Sequence, residues 1–368
     1  MRILILTNYA NGLFLFRREL LEAFLADGHE VLISLPPDEN VEKLKGISSG
    51  GSVPQIIETP FERRGMNPIR DMRLFCMYRR LLREKKPDIV LTYTIKPNIY
   101  GGAACRLAGV RCLCNVTGLG TAIEHGGVLS EILLAMYRFS MKRADRVFFQ
   151  NQGNMAFLQR HGIGRTNGEL LPGSGVNLTE HPFTPYPSEE NGLIFLAVLR
   201  IMRDKGIEEY FAAAERLKQT HPKLRFMLAG EYEEEERGKY EPEIRRLTQA
   251  GILQYVGHVD HVHELMAQSH AIVHPSYHEG LSNVLLEAAA CGRPVLAGNV
   301  SGCTATFIEG KSGLRFEVRD SDALVDALER FLALTNDERA EMGRCGRAFI
   351  EEHFDRQLVI DAYRRVLL

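Results

Sequence analysis

The chain has 368 residues, too many for one ordinary α/β core and about right for two domains. Hydrophobic residues make up 45% and charged residues 25%, the balance of a soluble globular protein, and no apolar run reaches the ~18 residues that would span a bilayer. The net charge of −2 hides an asymmetry: up to Glu180 there are 23 Lys+Arg against 17 Asp+Glu, and beyond it 22 against 30. A basic N-terminal half suits an anionic surface such as a phospholipid membrane, and no nucleic-acid partner is expected.

Residues 2–7 are an apolar run with no small-residue cleavage site behind it, so they read as a buried first strand rather than a leader. A loop carrying Asn8, Asn11 and Gly12 follows. Helical spacing runs over 13–25, closed by Asp27, Gly28 and His29, and a second strand over 30–35 stops at Pro36 and Pro37. Strand, loop, helix, strand is a βαβ unit, which demands a parallel sheet. The alternation continues with a short strand at Ile56 and Ile57, a basic amphipathic helix over 70–84, a strand over 87–93 and a helix over 101–108. Strands over 111–116 and 146–150 complete a first doubly wound domain.

Pro172, Gly173, Gly175, Asn177, Pro182, Pro185 and Pro187 then mark a hinge. Beyond it the pattern restarts, with strands over 193–198, 224–229, 252–256, 271–274 and 294–296. Helices fall over 206–219, 239–250, 261–269, 283–291 and 322–334. The acidic run 231–236 reads as a solvated loop or helix start. The last helix, 347–368, breaks near His353, Phe354 and Asp355 and would cross back onto the first domain. Two α/β domains joined by a hinge form a cleft, the usual place for a ligand in such folds.

Two stretches carry chemistry. In the first, His278-Glu279-Gly280-Leu281-Ser282-Asn283, a loop after the strand at 271–274 turns into a helix around Ser282. The helix start offers unpaired N–H groups and the positive end of a dipole, and Gly280 removes a Cβ from the approach. A negatively charged or hydroxyl-rich ligand suits such a place. Glu279 sits in the loop and Glu287, eight residues on, near the second helical turn. The plainer reading is that Glu279 offsets the helix dipole and Glu287 is an ordinary, partly exposed helix residue. In the second stretch, the strand at 193–198 delivers Arg200 to its carboxyl end, and Lys205 with Gly206 opens the next helix. A planar fork and a point charge together neutralise a diphosphate; solvated loop cations are the alternative. Arg200, Lys205 and Glu279 would all project from one edge of one parallel sheet.

Arg200, Lys205-Gly206 and the Glu279-x7-Glu287 spacing resemble the retaining glycosyltransferases of family 4, which have the GT-B fold of two Rossmann-like domains facing across a cleft. The likeness covers essentially the whole chain. It is strongest to bacterial enzymes that build capsule, O-antigen or lipid-linked oligosaccharides. The N-acetylgalactosaminyl transferases acting on undecaprenyl-diphosphate sugars begin and end similarly. The resemblance implies an acceptor-binding domain at 1–180, a nucleotide-sugar domain at 181–352 and a tail, 353–368, packed on the first. It implies that Arg200 and Lys205 hold the diphosphate of a UDP-sugar. Glu279 would bind donor-sugar hydroxyls, with Gly280, Leu281, Ser282 and Asn283 lining the pocket. Glu287 would bind the ribose, the backbone around His258 and Val259 would meet the base, and Gly12 would let the first loop approach the diphosphate. One departure is a family histidine missing at the end of the strand before Thr117 and Gly118, where Thr117 or Glu124 would stand instead. Arg17, on the first helix, would meet an acceptor phosphate.

The implied reaction breaks a sugar–phosphate bond, with the cations stabilising the leaving diphosphate. The resemblance implies retention of configuration, and with no side chain an obvious nucleophile, front-face attack is expected, the leaving phosphate taking the acceptor proton. No cofactor and no divalent metal are expected. Asp320 and Asp322 spell a DxD, but they precede a helix and read as a cap. His258, His261 and His263 lack a ligand pattern, and the seven cysteines read as free thiols in a reducing cytoplasm. The basic helix interleaves Arg63, Arg64, Arg70, Arg73, Arg79, Arg80 and Arg83 with apolar residues, as a helix lying on anionic lipid does; a solvated face with snorkelling cations is the alternative. Location in the cytoplasm, peripheral to the inner membrane, is expected. A nucleotide-sugar epimerase of the same fold and a catalytically inactive nucleotide-sugar binder remain open as other readings.

Overall fold

The computed structural model describes residues 1–62, 65, 67–119, 123 and 126–367. The chain divides into two compact units, residues 1–174 with 356–368, and residues 175–355. The chain passes from the first unit to the second after Ser174 and returns after Asp355, where the sequence reading placed the divisions after 180 and 352.

The N-terminal unit runs β1 (Arg2–Leu6), α1 (Ala10–Ala26), β2 (Glu30–Leu35), α2 (Val41–Lys45), β3 (Gln55–Glu58), α3 (Pro68–Lys85) and β4 (Ile89–Tyr93). A π-helical turn, Pro97–Gly101, leads into α4 (Gly102–Ala108), followed by β5 (Arg111–Val116), α5 (Gly127–Met141), β6 (Arg146–Phe149), α6 (Gln152–Arg160) and β7 (Gly168–Leu170). Its seven strands lie in the order β3-β2-β1-β4-β5-β6-β7, and every pairing is parallel, with Ile5 opposite both Ile33 and Leu91. Central strands such as β4, buried at every residue, read as unbroken apolar runs because helices cover both faces.

The C-terminal unit runs β8 (Ile194–Val198), α7 (Ile207–Thr220), β9 (Arg225–Ala229), α8 (Arg237–Gln249), β10 (Leu253–Gly257), α9 (Val262–Gln268), β11 (Ala271–His274) and α10 (Asn283–Ala290). It continues with β12 (Val295–Gly298), α11 (Ser301–Thr304), β13 (Gly313–Phe316), α12 (Ser321–Leu332) and α13 (Asn336–His353). Its six strands are parallel in the order β10-β9-β8-β11-β12-β13. The last helix, α14 (Arg356–Leu367), belongs to the N-terminal unit, where Val359, Ile360 and Tyr363 are buried in the core. Tyr363 packs against Phe148 at 5.0 Å and Phe24 at 6.2 Å and bonds Tyr93 and Asn115. Arg364 grips Asp27 with two bonds of 2.7 and 2.8 Å.

Several expectations shift. The first helix begins at Ala10, so Asn11 and Gly12 lie in its first turn rather than in a loop, and the ring of Tyr9 fills the space a Gly12 Cβ would need. The helix expected from 347 starts at Asn336, and it packs closely at Gly343, where a Cβ would overlap the Gly292 carbonyl. The Gly/Pro-rich hinge is strapped to the C-terminal unit by Arg293. That side chain is fully buried and donates to the carbonyls of Thr184, Pro185, Met266, Ala267 and Gly292 and to Thr184 Oγ1 at 2.6–3.1 Å.

Candidate active site

In the C-terminal unit the strand order reverses between β8 and β11, which pair directly through Phe195 with Ala271 and Leu196 with Ile272. Chain leaving the carboxyl ends of these two strands departs to opposite sides, and the crevice between is where open parallel sheets take ligands. Lys205 follows β8 and Glu279 follows β11.

Glycine makes the two segments meet. After β8 the chain folds through a 3₁₀ turn, Arg203–Lys205, to Gly206 at φ +70°. A Cβ on Gly206 would overlap the Pro275 carbonyl, so only glycine allows this left-handed turn to press on the β11–α10 loop. The Tyr277 N–H then donates to the Asp204 carbonyl at 2.9 Å, and the Tyr277 hydroxyl donates to the buried Glu209 carboxylate at 2.7 and 2.8 Å. From the other side, a Cβ on Gly302 in α11 would overlap the Glu279 carbonyl.

So placed, Lys205 Nζ donates to Glu279 Oε1 at 2.6 Å, and His274 Nε2 lies 2.9 Å from the same oxygen. The side chains of Lys205, Glu279 and His274 are 18%, 16% and 4% exposed. Burial alone would raise the Glu279 carboxyl, but the His274 hydrogen bond and the Lys205 charge hold it well below the usual carboxylate range. Beside it the Cys303 thiol is pushed well up, by burial first and by the Glu279 charge second, which leaves it unreactive. At the start of α10, Ser282 caps the helix without a side-chain cap bond, and its buried Oγ has no partner among the described residues. The Ser282 N–H is already spent on the Gly302 carbonyl at 2.9 Å, so this one amide of the expected lining is not open to a ligand. Leu281 turns into a small core with Val176 and Leu286. Gly280, Asn283 and Glu287 are partly exposed along the same loop and helix.

Arg200 does not join Lys205 and Glu279. It is 57% exposed and pairs with Glu233 at 2.8 Å, while Glu236 accepts from the Arg203 N–H at 3.0 Å. The acidic run is therefore not merely solvated, since two of its carboxylates hold the β8 loop. His258 is exposed beside Asp260 and Glu231, and Val259 packs partly into the core. Gly257, at φ +74°, accepts from the Gly230 N–H at 2.8 Å.

The remaining expected residues lie on the N-terminal unit. Thr117 follows β5 and is partly exposed, and Glu124 lies outside the described residues. Arg17 is buried. Its guanidinium donates to the carbonyls of Phe16 and Gly173 and sits 5.5 Å from the Tyr93 ring, and its buried Nε has no hydrogen-bond partner among the described residues. Asp320 caps α12 through the Ala323 N–H at 2.9 Å, and Asp322 pairs with Arg216. Cys112 and Cys114 stand side by side with Sγ atoms 3.7 Å apart. Among the described residues no helix is long and apolar enough to cross a membrane.

Sequence reasoning missed His274 and Gly302. The signal for the first was present, a histidine closing the otherwise apolar run Ala271, Ile272 and Val273. Gly302 carried none.

Residues 13–173 match the family described as glycosyl transferase 4-like domain, and residues 180–349 the family described as glycosyl transferases group 1. The chain belongs to the family 4-like glycosyltransferases. This glycosyltransferase is 24% identical, over its whole length and 98% of the relative, to a Campylobacter jejuni enzyme named N,N'-diacetylbacillosaminyl-diphospho-undecaprenol α-1,3-N-acetylgalactosaminyltransferase. It is 25% identical, over 73% of its length and 72% of the relative, to an Escherichia coli UDP-Gal:α-D-GlcNAc-diphosphoundecaprenol α-1,3-galactosyltransferase. Its fold is that of Anabaena HepE, solved in complex with UDP, at TM-score 0.80 and 18% identity over 100% of this chain and 99% of the other. Both halves are thus accounted for as a GT-B transferase, which decides for glycosyl transfer over epimerisation.

Proposed function

We propose that this glycosyltransferase moves an N-acetylhexosamine or hexose from a UDP-sugar to a polyprenyl-diphosphate-linked saccharide, with retention of configuration and without a metal. The observation that carries the reading is the Lys205–Glu279 pair at the switch point of the C-terminal sheet, 2.6 Å long and held by two glycines that tolerate no side chain. The names of the C. jejuni and E. coli relatives support the lipid-linked acceptor, and the HepE complex supports UDP as the nucleotide.

In this reading Lys205, whose ammonium spends one of three hydrogens on Glu279, turns the others to the donor diphosphate. Arg200 joins it by leaving Glu233. The Arg200 side of that pair is open to solvent, and solvent-reached pairs are worth about 0–1 kcal/mol, so a diphosphate competes for Arg200. As the bond from the anomeric carbon to the phosphate oxygen breaks, charge grows on the diphosphate and the two cations stabilise it. The acceptor hydroxyl attacks from the same face, and its proton passes to the departing phosphate oxygen. Glu279 binds donor hydroxyls, Glu287 the ribose, and the backbone of 257–259 the base.

On α3, Ile69 and Met72 are exposed among Arg70, Arg73, Arg79, Arg80 and Arg83. That surface supports peripheral binding to an anionic membrane from the cytoplasmic side; Arg63 and Arg64 lie outside the described residues. The test is thermal stabilisation by UDP, GDP and ADP with EDTA present, since a ligand that binds only the folded state raises stability by mass action. A shift with UDP alone is expected. No shift with any of the three refutes the assignment of Lys205 and Glu279.

A further inference from the structure

His274 ends β11, the strand on one side of the switch point, after three residues that are all buried and apolar. An aliphatic side chain would complete such a strand without stranding polar atoms, whereas a buried imidazole must find partners for two ring nitrogens. It finds one. Nε2 meets Glu279 Oε1 at 2.9 Å, and Nδ1 is buried with no partner among the described residues. A carboxylate only accepts, so Nε2 carries the hydrogen and Nδ1 faces the protein interior.

The consequence lies in how Glu279 is divided. Oε1 takes two donors, Lys205 from the β8 side and His274 from β11 itself. Oε2 accepts no hydrogen bond among the described residues and is not among the buried orphans. Two donors on one oxygen fix the plane of the carboxylate and leave the other oxygen for a ligand. Of the two, Lys205 is the one with another task. When its ammonium is shared with a diphosphate its hold on Glu279 is divided, and His274 is the donor left with that single task.

We infer that His274 is the positioning residue of Glu279, fixing Oε1 so that Oε2 is presented to a hydroxyl of the donor sugar. It thereby sets the affinity for the sugar moiety and not for the nucleotide. The inference rests on the reading of Glu279 as a sugar ligand.

The readout that separates positioning from general structural support is the difference between UDP and a UDP-sugar. Titration calorimetry on the full chain, in EDTA and without acceptor, compares UDP with UDP-N-acetylgalactosamine, UDP-galactose and UDP-glucose. For the sugar nucleotide that wild type prefers, His274→Leu raises Kd about tenfold, the loss of one charge-assisted hydrogen bond. Its Kd for UDP stays within about twofold. His274→Gln, whose amide reaches the Nε2 position, restores most of the sugar selectivity. His274→Asn, which reaches only the Nδ1 position, does not, and this pair decides the matter if the leucine variant fails to fold. Equal weakening of UDP and UDP-sugar, or no weakening of either, overturns the inference while the donor reading stands. Wild-type protein that binds UDP but none of the three sugar nucleotides overturns the donor reading, and the inference with it.

Discussion

Replacing Lys205 by methionine removes the ammonium and keeps the chain length, so the Glu279 carboxylate is left with His274 alone. At 2.6 Å and an effective dielectric of ~20, the gross attraction of the pair is about 6 kcal/mol. Desolvation of both groups offsets most of it. Breaking a buried pair by removing one partner typically costs about 3–5 kcal/mol. Here residual exposure and the surviving His274 bond reduce the cost to about 2 kcal/mol for Lys205→Met. Glu279→Gln costs more, about 3 kcal/mol, because it strands an ammonium with no other partner among the described residues. The double variant recovers part of the sum, giving a coupling energy of about 1–2 kcal/mol. The chain contains no tryptophan, so urea unfolding is best followed by far-ultraviolet circular dichroism. Turnover of fully folded Lys205→Met falls at least about a hundredfold, the scale of losing one donor to a developing anion. A coupling energy under about 0.5 kcal/mol, the limit for independent sites, would refute the claim that the two side chains share one buried contact.

Arg293→Lys leaves most of the six acceptors around the guanidinium unmet, and an ammonium cannot reproduce the fork. A loss of about 3 kcal/mol is expected by urea denaturation, and a loss below about 1 kcal/mol contradicts the strap. His270 accepts from the Ile194 N–H through Nδ1 at 3.0 Å and meets the Ser188 carbonyl through Nε2 at 3.2 Å, which requires the neutral ring. Burial lowers its pKa in the folded state, so its contribution is complete above the unfolded value of about 6.5 and drains away as pH falls through the folded one. Stability of wild type should therefore drop below pH ~6.5 more steeply than that of His270→Gln; parallel curves count against this. Gly206→Ala forces a Cβ into the Pro275 carbonyl at positive φ. A loss of about 2 kcal/mol together with loss of UDP-induced stabilisation is expected, and an alanine variant with unchanged melting and binding removes the reason given for that glycine.

The sequence by itself determined the layered architecture. Apolar runs of four to six residues alternating with helical periodicity are local properties, and short turns between them leave a parallel sheet as the only economical arrangement. The same logic put Lys205 behind β8 and Glu279 behind β11 at one sheet edge. Some helices were hidden because their signals are ambiguous: α5 has apolar residues on more than one face, and α13 carries a glycine at 343 whose place is explained only by the neighbouring Gly292 backbone. What only the tertiary structure decided was which charges meet. Nothing in the spacing said that Arg200 would turn to Glu233, that Arg17 would donate to backbone carbonyls inside its own unit, or that His274 and Lys205 would share one oxygen of Glu279. Those pairings join residues up to 156 positions apart. They are settled by close approaches such as Gly206 on Pro275 and Gly302 on Glu279, and a contact between distant backbones leaves no periodic trace in either segment.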